Sequence, residues 1–258
     1  MQDFKYYAPT EVVFGKDAEE HLVEMINKYG GKKVLVHYGG HSAERSGLLA
    51  SVREKLNAAG ISFVELGGVK PNPRLTLVHE GIELCRKENV DFILAVGGGS
   101  VIDSSKAIGF GVKYDGDVWD IYARKYVPTE MLPVGVILTI PAAGSEMSDS
   151  SVITKEDGDL KIGYSNNICR PKFAIMNPVR TFTLPPYQTA CGATDIMMHT
   201  MERYFGKVDD MTLIDNIAEA LMRTVKDSVF HVLENPEDYR NLSLIHISEP
   251  TRLALISY

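Results

Sequence analysis

Between Lys32 and Pro141 the sequence alternates short, continuously apolar runs with longer amphipathic ones, and no other feature restricts the fold as much. Lys33-Val-Leu-Val-His37, Ile61-Ser-Phe-Val-Glu65, Asp91-Phe-Ile-Leu-Ala-Val96 and Val134-Gly-Val-Ile-Leu-Thr-Ile140 read as strands. Within Ser46 to Ala59, Leu48, Leu49, Val52 and Leu56 recur at helical spacing and Gly60 closes the segment. Leu75, Leu77, Val78, Ile82 and Leu84 give a second helix after the Pro71-Asn-Pro73 loop. Apolar strands joined by helices require a parallel sheet covered on both faces. The expected fold class is therefore α/β, with an N-terminal doubly wound nucleotide-binding domain.

After Pro141 the texture changes. Val152-Ile-Thr-Lys155 and Leu160-Lys-Ile-Gly-Tyr164, separated by Glu156-Asp-Gly-Asp159, predict a hairpin. From Pro186 to Glu234 the pattern is helical, through Met197, Met198, Met201 and Tyr204 and then Ile214, Ile217, Leu221 and Val225. The expected domains are a dinucleotide-binding unit over residues 1–185 and the start of an all-helical unit over residues 186–241.

Residues 242–258 stand apart. Leu242-Ser-Leu-Ile-His-Ile-Ser-Glu-Pro-Thr-Arg252 resembles the translation of a transposase adapter used in preparing DNA sequencing libraries, and Ile256-Ser-Tyr258 matches the flanking adapter. Leu253-Ala-Leu255 fills the space of a sample index. The expectation is an artefactual tail on a chain truncated after Asn241.

Charge and composition remove several function classes. Against 34 acidic residues stand 27 basic ones, a net charge of −7, with no Lys/Arg cluster, so a nucleic-acid partner is not expected. The longest apolar stretches are too short to cross a bilayer. Met1-Gln-Asp-Phe-Lys-Tyr6 lacks the charged head and apolar region of a signal peptide. Cys85, Cys169 and Cys191 are widely spaced with no CxxC, which fits a reducing, cytoplasmic compartment rather than disulfides or a zinc knuckle.

Two patterns could carry chemistry. Gly97-Gly-Gly-Ser100-Val-Ile-Asp103 stands where a strand meets a helix. There, glycines admit a phosphate to the backbone and unpaired N–H groups face it. The same residues would equally make a tight turn with a capping box from Ser100 and Asp103. Asp195-Ile-Met-Met-His199 spaces a carboxylate and an imidazole at i, i+4 on one helix face. Those two donors suit a divalent metal, but two ligands alone also describe an ordinary polar helix pair. His21, His37, His41, His79 and His231 have no comparable spacing and read as ordinary surface or core residues. Cys191 lacks the base and orienter of a nucleophile and reads as a buried helix-start cysteine, with the neighbouring methionines as core filler.

Taken in order, several motifs resemble the iron-containing, group III alcohol dehydrogenase family, in its butanol dehydrogenase-like branch. They are Pro9-Thr-Glu-Val-Val-Phe-Gly15, Pro71-Asn-Pro73, Gly97 to Lys106, Thr139-Ile-Pro-Ala-Ala-Gly-Ser-Glu146, Thr183-Leu-Pro185 and Gly192 to Phe205. The resemblance implies a metal-dependent oxidoreductase moving a hydride between NADP(H) or NAD(H) and a primary alcohol or aldehyde such as butanol or butanal. It implies a dinucleotide lined by Asn72, Gly98, Gly99, Ser100, Asp103, Thr139 and Lys161. It also implies that Asp195 and His199 are two of four ligands to Fe2+ or Zn2+, with two further histidines lying beyond this sequence, and a homodimer. Ala143 departs from the family's Thr and removes a hydroxyl. At Tyr38-Gly-Gly-His-Ser42 the Asp usual in NAD-specific members is absent, so Gly39, Gly40 and Ser42 leave room and donors for a 2′-phosphate. That favours NADP. No residue is assigned as proton donor. A glycerol dehydrogenase or dehydroquinate synthase relative, and a dinucleotide-binding fragment without catalysis, are the competing readings.

Overall fold

Alternate residues of the central strands face opposite ways, and both faces are buried. In β2 (Lys33–Tyr38), Val34 and Val36 join one apolar cluster and Leu35 the other. In β4 (Phe92–Gly97), Phe92, Leu94 and Val96 oppose Ile93 and Ala95 in the same way. The first face is covered by Leu22, Met25 and Ile26 of α1 (Leu22–Lys28) and by Leu48, Leu49, Val52 and Leu56 of α3 (Leu48–Ala58). The second is covered by α4 (Leu75–Glu88) and α5 (Gly99–Val112), with α6 (Trp119–Tyr122) at their flank. Double burial explains the continuous apolar runs of β2 and β4, where Val34 to His37 and Phe92 to Gly97 are all buried. The computed structural model describes residues 7–206 and 211–255, with side chains as far as Ser248. Residues 1–6 and the adapter-like Ile256-Ser-Tyr258 lie outside the described residues.

The sheet runs β1 (Glu11–Phe14), β8 (Phe173–Met176), β5 (Val134–Leu138), β4, β2, β3 (Ser62–Leu66), and all five pairings are parallel. From β2 the chain crosses to β3 on one side and returns to β4 on the other. Strand order therefore reverses between β2 and β4, and a crevice opens at their carboxyl ends. The predicted hairpin forms from β6 (Ser150–Lys155) and β7 (Leu160–Ser165), antiparallel and packed on α5, where Tyr164 meets Phe110 edge-on at 5.8 Å. Helices follow: α7 (Pro186–Tyr204), α8 (Thr212–Glu234) and α9 (Tyr239–Leu255). No described helix is long and apolar enough to cross a membrane.

Some local expectations shift. The helix foreseen from Ser46 begins at Leu48, because the chain turns at Gly47 (φ 74) after a separate short α2 (Ser42–Arg45). β5 stops at Leu138 and leaves Thr139 and Ile140 as a crevice wall. The sheet also holds β1 and β8, whose four residues each are too few to display a period in the sequence. Cys191 is exposed rather than buried, because it faces outward six residues into α7. Met198 is likewise 52% exposed, while Met197 packs against the helical core. The tail residues Leu242 and Ile245 are buried against α7 and α8, and His246 is buried with Nε2 unpartnered.

His37 shows how tightly the sheet and α5 fit. It is fully buried, with Nδ1 2.7 Å from the Leu66 carbonyl and Nε2 2.9 Å from Ser104 Oγ. Burial pushes its pKa down to about 4, against a partial rise from the Leu66 contact. A depressed value means the unfolded chain binds a proton that the folded one refuses. His37 therefore contributes fully above its unfolded pKa, and the contribution fades as pH falls from about 6.5 toward 4, a loss on the order of 3 kcal/mol. Urea melts at pH 7 and pH 4.5 should show H37Q less stable than wild type at pH 7, yet with a shallower loss on acidification.

Candidate functional site: the crevice at the carboxyl ends of β2 and β4

An open cleft of about 680 Å³ lies at the point of strand reversal, within the range of small-molecule sites. Gly39 and Ser42 after β2, Gly97 at the end of β4, Gly98 after it, and Thr139 after β5 line one side. Val179, Arg180 and Thr183 line the other. A Cβ on Gly98 would lie 2.5 Å from Ile140 Cγ2, so only glycine keeps strand, turn and wall this close. Gly98 caps α5 through its backbone alone, its carbonyl accepting from Val101 N at 3.0 Å and Ile102 N at 3.2 Å. Ser100 and Asp103 do not form a capping box, so the first N–H groups of α5 remain available to an anion. Ala143, where the hydroxyl is missing, sits beside Gly99, 3.6 Å from where a Cβ there would be.

Of the expected cofactor residues, Gly39, Ser42, Gly98 and Thr139 meet in the cleft wall, with Gly99 and Ser100 continuing into the first turn of α5. Gly40 is exposed beside Gly39. Asn72, at positive φ in the loop before α4, and Lys161, exposed on β7, are outside that wall. Asp103 points into the protein, where its carboxylate accepts from Ser145 Oγ at 2.6 Å and Val152 N at 3.0 Å. Burial pushes its carboxyl up, opposed chiefly by the charge of Lys106.

Lys106 is the structural residue that the sequence did not single out. Its side chain is fully buried, and Nζ donates to the carbonyls of Ser145, Ser148 and Ser150 at 2.7, 3.0 and 2.7 Å. It also reaches the hydroxyls of Ser145 and Ser148, both at 3.1 Å. Burial pushes the Lys106 ammonium down, and nearby charge, Asp103 included, opposes that fall. Together Lys106 and Asp103 tie α5 to the loop after β5 and to the hairpin, so one buried pair fixes a wall of the cleft. On the other wall, Arg180 is held by Glu19, Nε to Oε1 at 2.6 Å with a second contact from Nη2 to Oε2, and Glu19 is itself buried.

Asp195 and His199 lie one turn apart on α7, with His199 Nε2 3.4 Å from Asp195 Oδ1 and Nδ1 3.4 Å from Glu202 Oε2. Both side chains are partly exposed. Gly192 brings this helix to the cleft loop, for a Cβ there would stand 2.7 Å from the Pro141 carbonyl oxygen. Nitrogen and oxygen donors of this kind suit Fe2+ or Zn2+. Among the described residues no group of three or more ligand-type side chains assembles. The pair is thus chemically suited to a divalent metal but supplies only two donors.

With this geometry in place, comparison with known proteins is direct. Residues 9–178 match the family profile described as iron-containing alcohol dehydrogenase. A probable NADH-dependent butanol dehydrogenase of Bacillus subtilis is 46% identical over 239 residues, covering 93% of this chain and 62% of that protein. The NADPH-dependent aldehyde reductase YqhD of Escherichia coli is 37% identical over 244 residues, covering 93% of this chain and 62% of that protein. The crystal structure of an NADH-dependent butanol dehydrogenase A from Thermotoga maritima superposes with a TM-score of 0.95 at 40% identity, over 98% of this chain and 64% of that one. The chain therefore spans under two thirds of the length of these relatives.

Replacing Lys106 by Met would leave Asp103 without its counter-charge and strand three carbonyls. Such a loss costs about 3–5 kcal/mol, and chemical denaturation of K106M should show a destabilisation of that size. A loss below about 1 kcal/mol would mean that the buried cage does not hold the wall.

Proposed function

The chain belongs to the iron-containing alcohol dehydrogenase family, and on that premise we propose that its cleft binds NADP(H) for hydride exchange with a primary alcohol or aldehyde such as butanol or butanal. The observation that carries the proposal is the cleft itself, at the strand reversal, with glycines at the ends of both flanking strands. The N–H groups at the start of α5, at Gly98, Gly99 and Ser100, would hold the pyrophosphate. Gly39, Gly40 and Ser42 would receive the adenosine ribose and its 2′-phosphate, and Asn72, Thr139 and Lys161 would complete the lining. Asp103 would act from behind, through Ser145. The relatives' names divide between NADH and NADPH. The preference for NADP(H) over NAD(H) rests on the absence of an acidic residue from Gly39-Gly-His-Ser42.

Asp195 and His199 would hold Fe2+ or Zn2+, which when bound supplies a Lewis acid for the substrate oxygen. Residues of the α7 face and of the cleft wall would exclude water from the reacting carbon. A division into a dinucleotide-binding unit over residues 1–185 and a helical unit from 186 fits the change from sheet to helices. The reading of residues 242–258 as extraneous rests on their sequence alone. Edge strand β1 leaves Val12 and Phe14 exposed, which supports a homodimer. Three unpaired cysteines support a cytoplasmic setting.

The gene amplified from its source across the Asn241 junction, once expressed, should yield a protein that oxidises NADPH only when butanal is present and stops when the metal is chelated. H199A should abolish that turnover while leaving NADPH binding within about threefold. The 258-residue chain itself, with two donors, should bind NADPH without measurable turnover. Aldehyde-independent NADPH oxidation, or turnover indifferent to chelation, would contradict the proposal.

A further inference from the structure

The cleft wall carries two guanidinium groups, Arg45 and Arg180, and their situations differ. Arg180 is committed to the buried Glu19 carboxylate. Arg45 closes the short α2 beside Ser42, its side chain exposed, and it makes no ion pair or side-chain hydrogen bond among the described residues. Among the described residues it is the uncommitted cation of the cleft lining.

Two acidic side chains lie near the end of β2, where their charges act on the Tyr38 phenol. Glu44 is the neighbour of Arg45 in sequence, and Glu65 stands near the end of β3, the strand beside β2. Both are taken by one residue of α3. Arg53 Nε and Nη2 each donate to Glu65 at 2.8 Å, while Nη1 and Nη2 donate to Glu44 at 2.9 and 3.0 Å. Two carboxylates thus share a single guanidinium in paired forks, a geometry that Lys could not reproduce. The hydrogen bonds from Arg53 hold the Glu44 carboxyl below its ordinary range. A free carboxylate here would accept from a ribose 2′-hydroxyl and repel a 2′-phosphate. With both acids engaged by Arg53, the uncommitted charge on the cleft wall beside Ser42 is cationic.

We propose that Arg45 pairs with the 2′-phosphate of the dinucleotide, and that Arg53 is the positioning residue that makes this selective by keeping Glu44 and Glu65 out of the subsite. The assignment rests on the NADP(H) reading above. It names a specificity determinant that does not touch the reacting carbon, so it is read by binding alone.

The test uses calorimetric titration of the 258-residue chain with 2′,5′-ADP and with 5′-AMP, which differ only by the 2′-phosphate. Wild type should prefer 2′,5′-ADP by tenfold or more. R45Q should lose that preference, with 5′-AMP affinity moving less than twofold, and R45K should retain most of it. R53M should also lose the preference, and adding E44Q and E65Q to it should restore discrimination, which a merely structural role for Arg53 would not produce. Thermal melts confirm that each variant is folded. If wild type prefers 2′,5′-ADP and R45Q does so equally, the Arg45 assignment fails while the NADP(H) reading stands. If wild type binds the two alike, or neither, the NADP(H) reading fails and the assignment falls with it.

Discussion

The reversal of strand order between β2 and β4 is the constraint from which the candidate site follows. Connections leaving these neighbours run to opposite sides, one to β3 and the other through α5 to β5. No crossover can therefore fill the space above their carboxyl ends. Every element that the site uses is anchored to that gap. Gly39 and Ser42 follow β2, Gly98 opens the helix after β4, and Thr139 follows β5. A sheet wound in one direction from end to end would bring the same residues no closer than separate loops on a rim.

A gap needs walls that stay in place, and here buried charge sets them. Lys106 and Asp103 lie on adjacent turns of α5 and reach into the loop after β5 and the first strand of the hairpin. Arg180 and Glu19 do the same between the 3-10 turn after β8 and the N-terminal segment. Lys106 reaches from α5 to loop and strand carbonyls of Ser145, Ser148 and Ser150, while Arg180 binds the Glu19 carboxylate. The ionic groups therefore specify loop positions that apolar packing alone would leave variable, at a desolvation cost that hydrogen bonds to several carbonyls offset.

Much of this was legible in the sequence because it depends on short-range pattern. Val34 to Val36 and Phe92 to Val96 announce a doubly covered sheet by being apolar without alternation. Gly97 to Gly99 after such a run announces a strand passing into a helix. Asp195 and His199 share a face by spacing alone. What stayed hidden depends on long-range contact. Lys106 reads as a solvent-reaching helix residue until Ser145, Ser148 and Ser150, some forty positions onward, close around it. The sharing of Arg53 by Glu44 and Glu65 joins two helices and a strand, and no local period records it. Strands β1 and β8 are four residues each and pair only with each other and β5, so their register comes from the fold rather than from their own residues.

Amide hydrogen exchange with and without NADPH tests the placement of the dinucleotide most directly. The account predicts slowed exchange in residues 39–46, 97–101 and 139–140, around the carboxyl ends of β2, β4 and β5. A second cavity of about 510 Å³ lies at the amino ends of the strands, lined by Pro133, Arg170 and Lys172 among others. Protection confined to residues 130–134 and 167–172, with residues 39–46 and 97–101 unchanged, would contradict it.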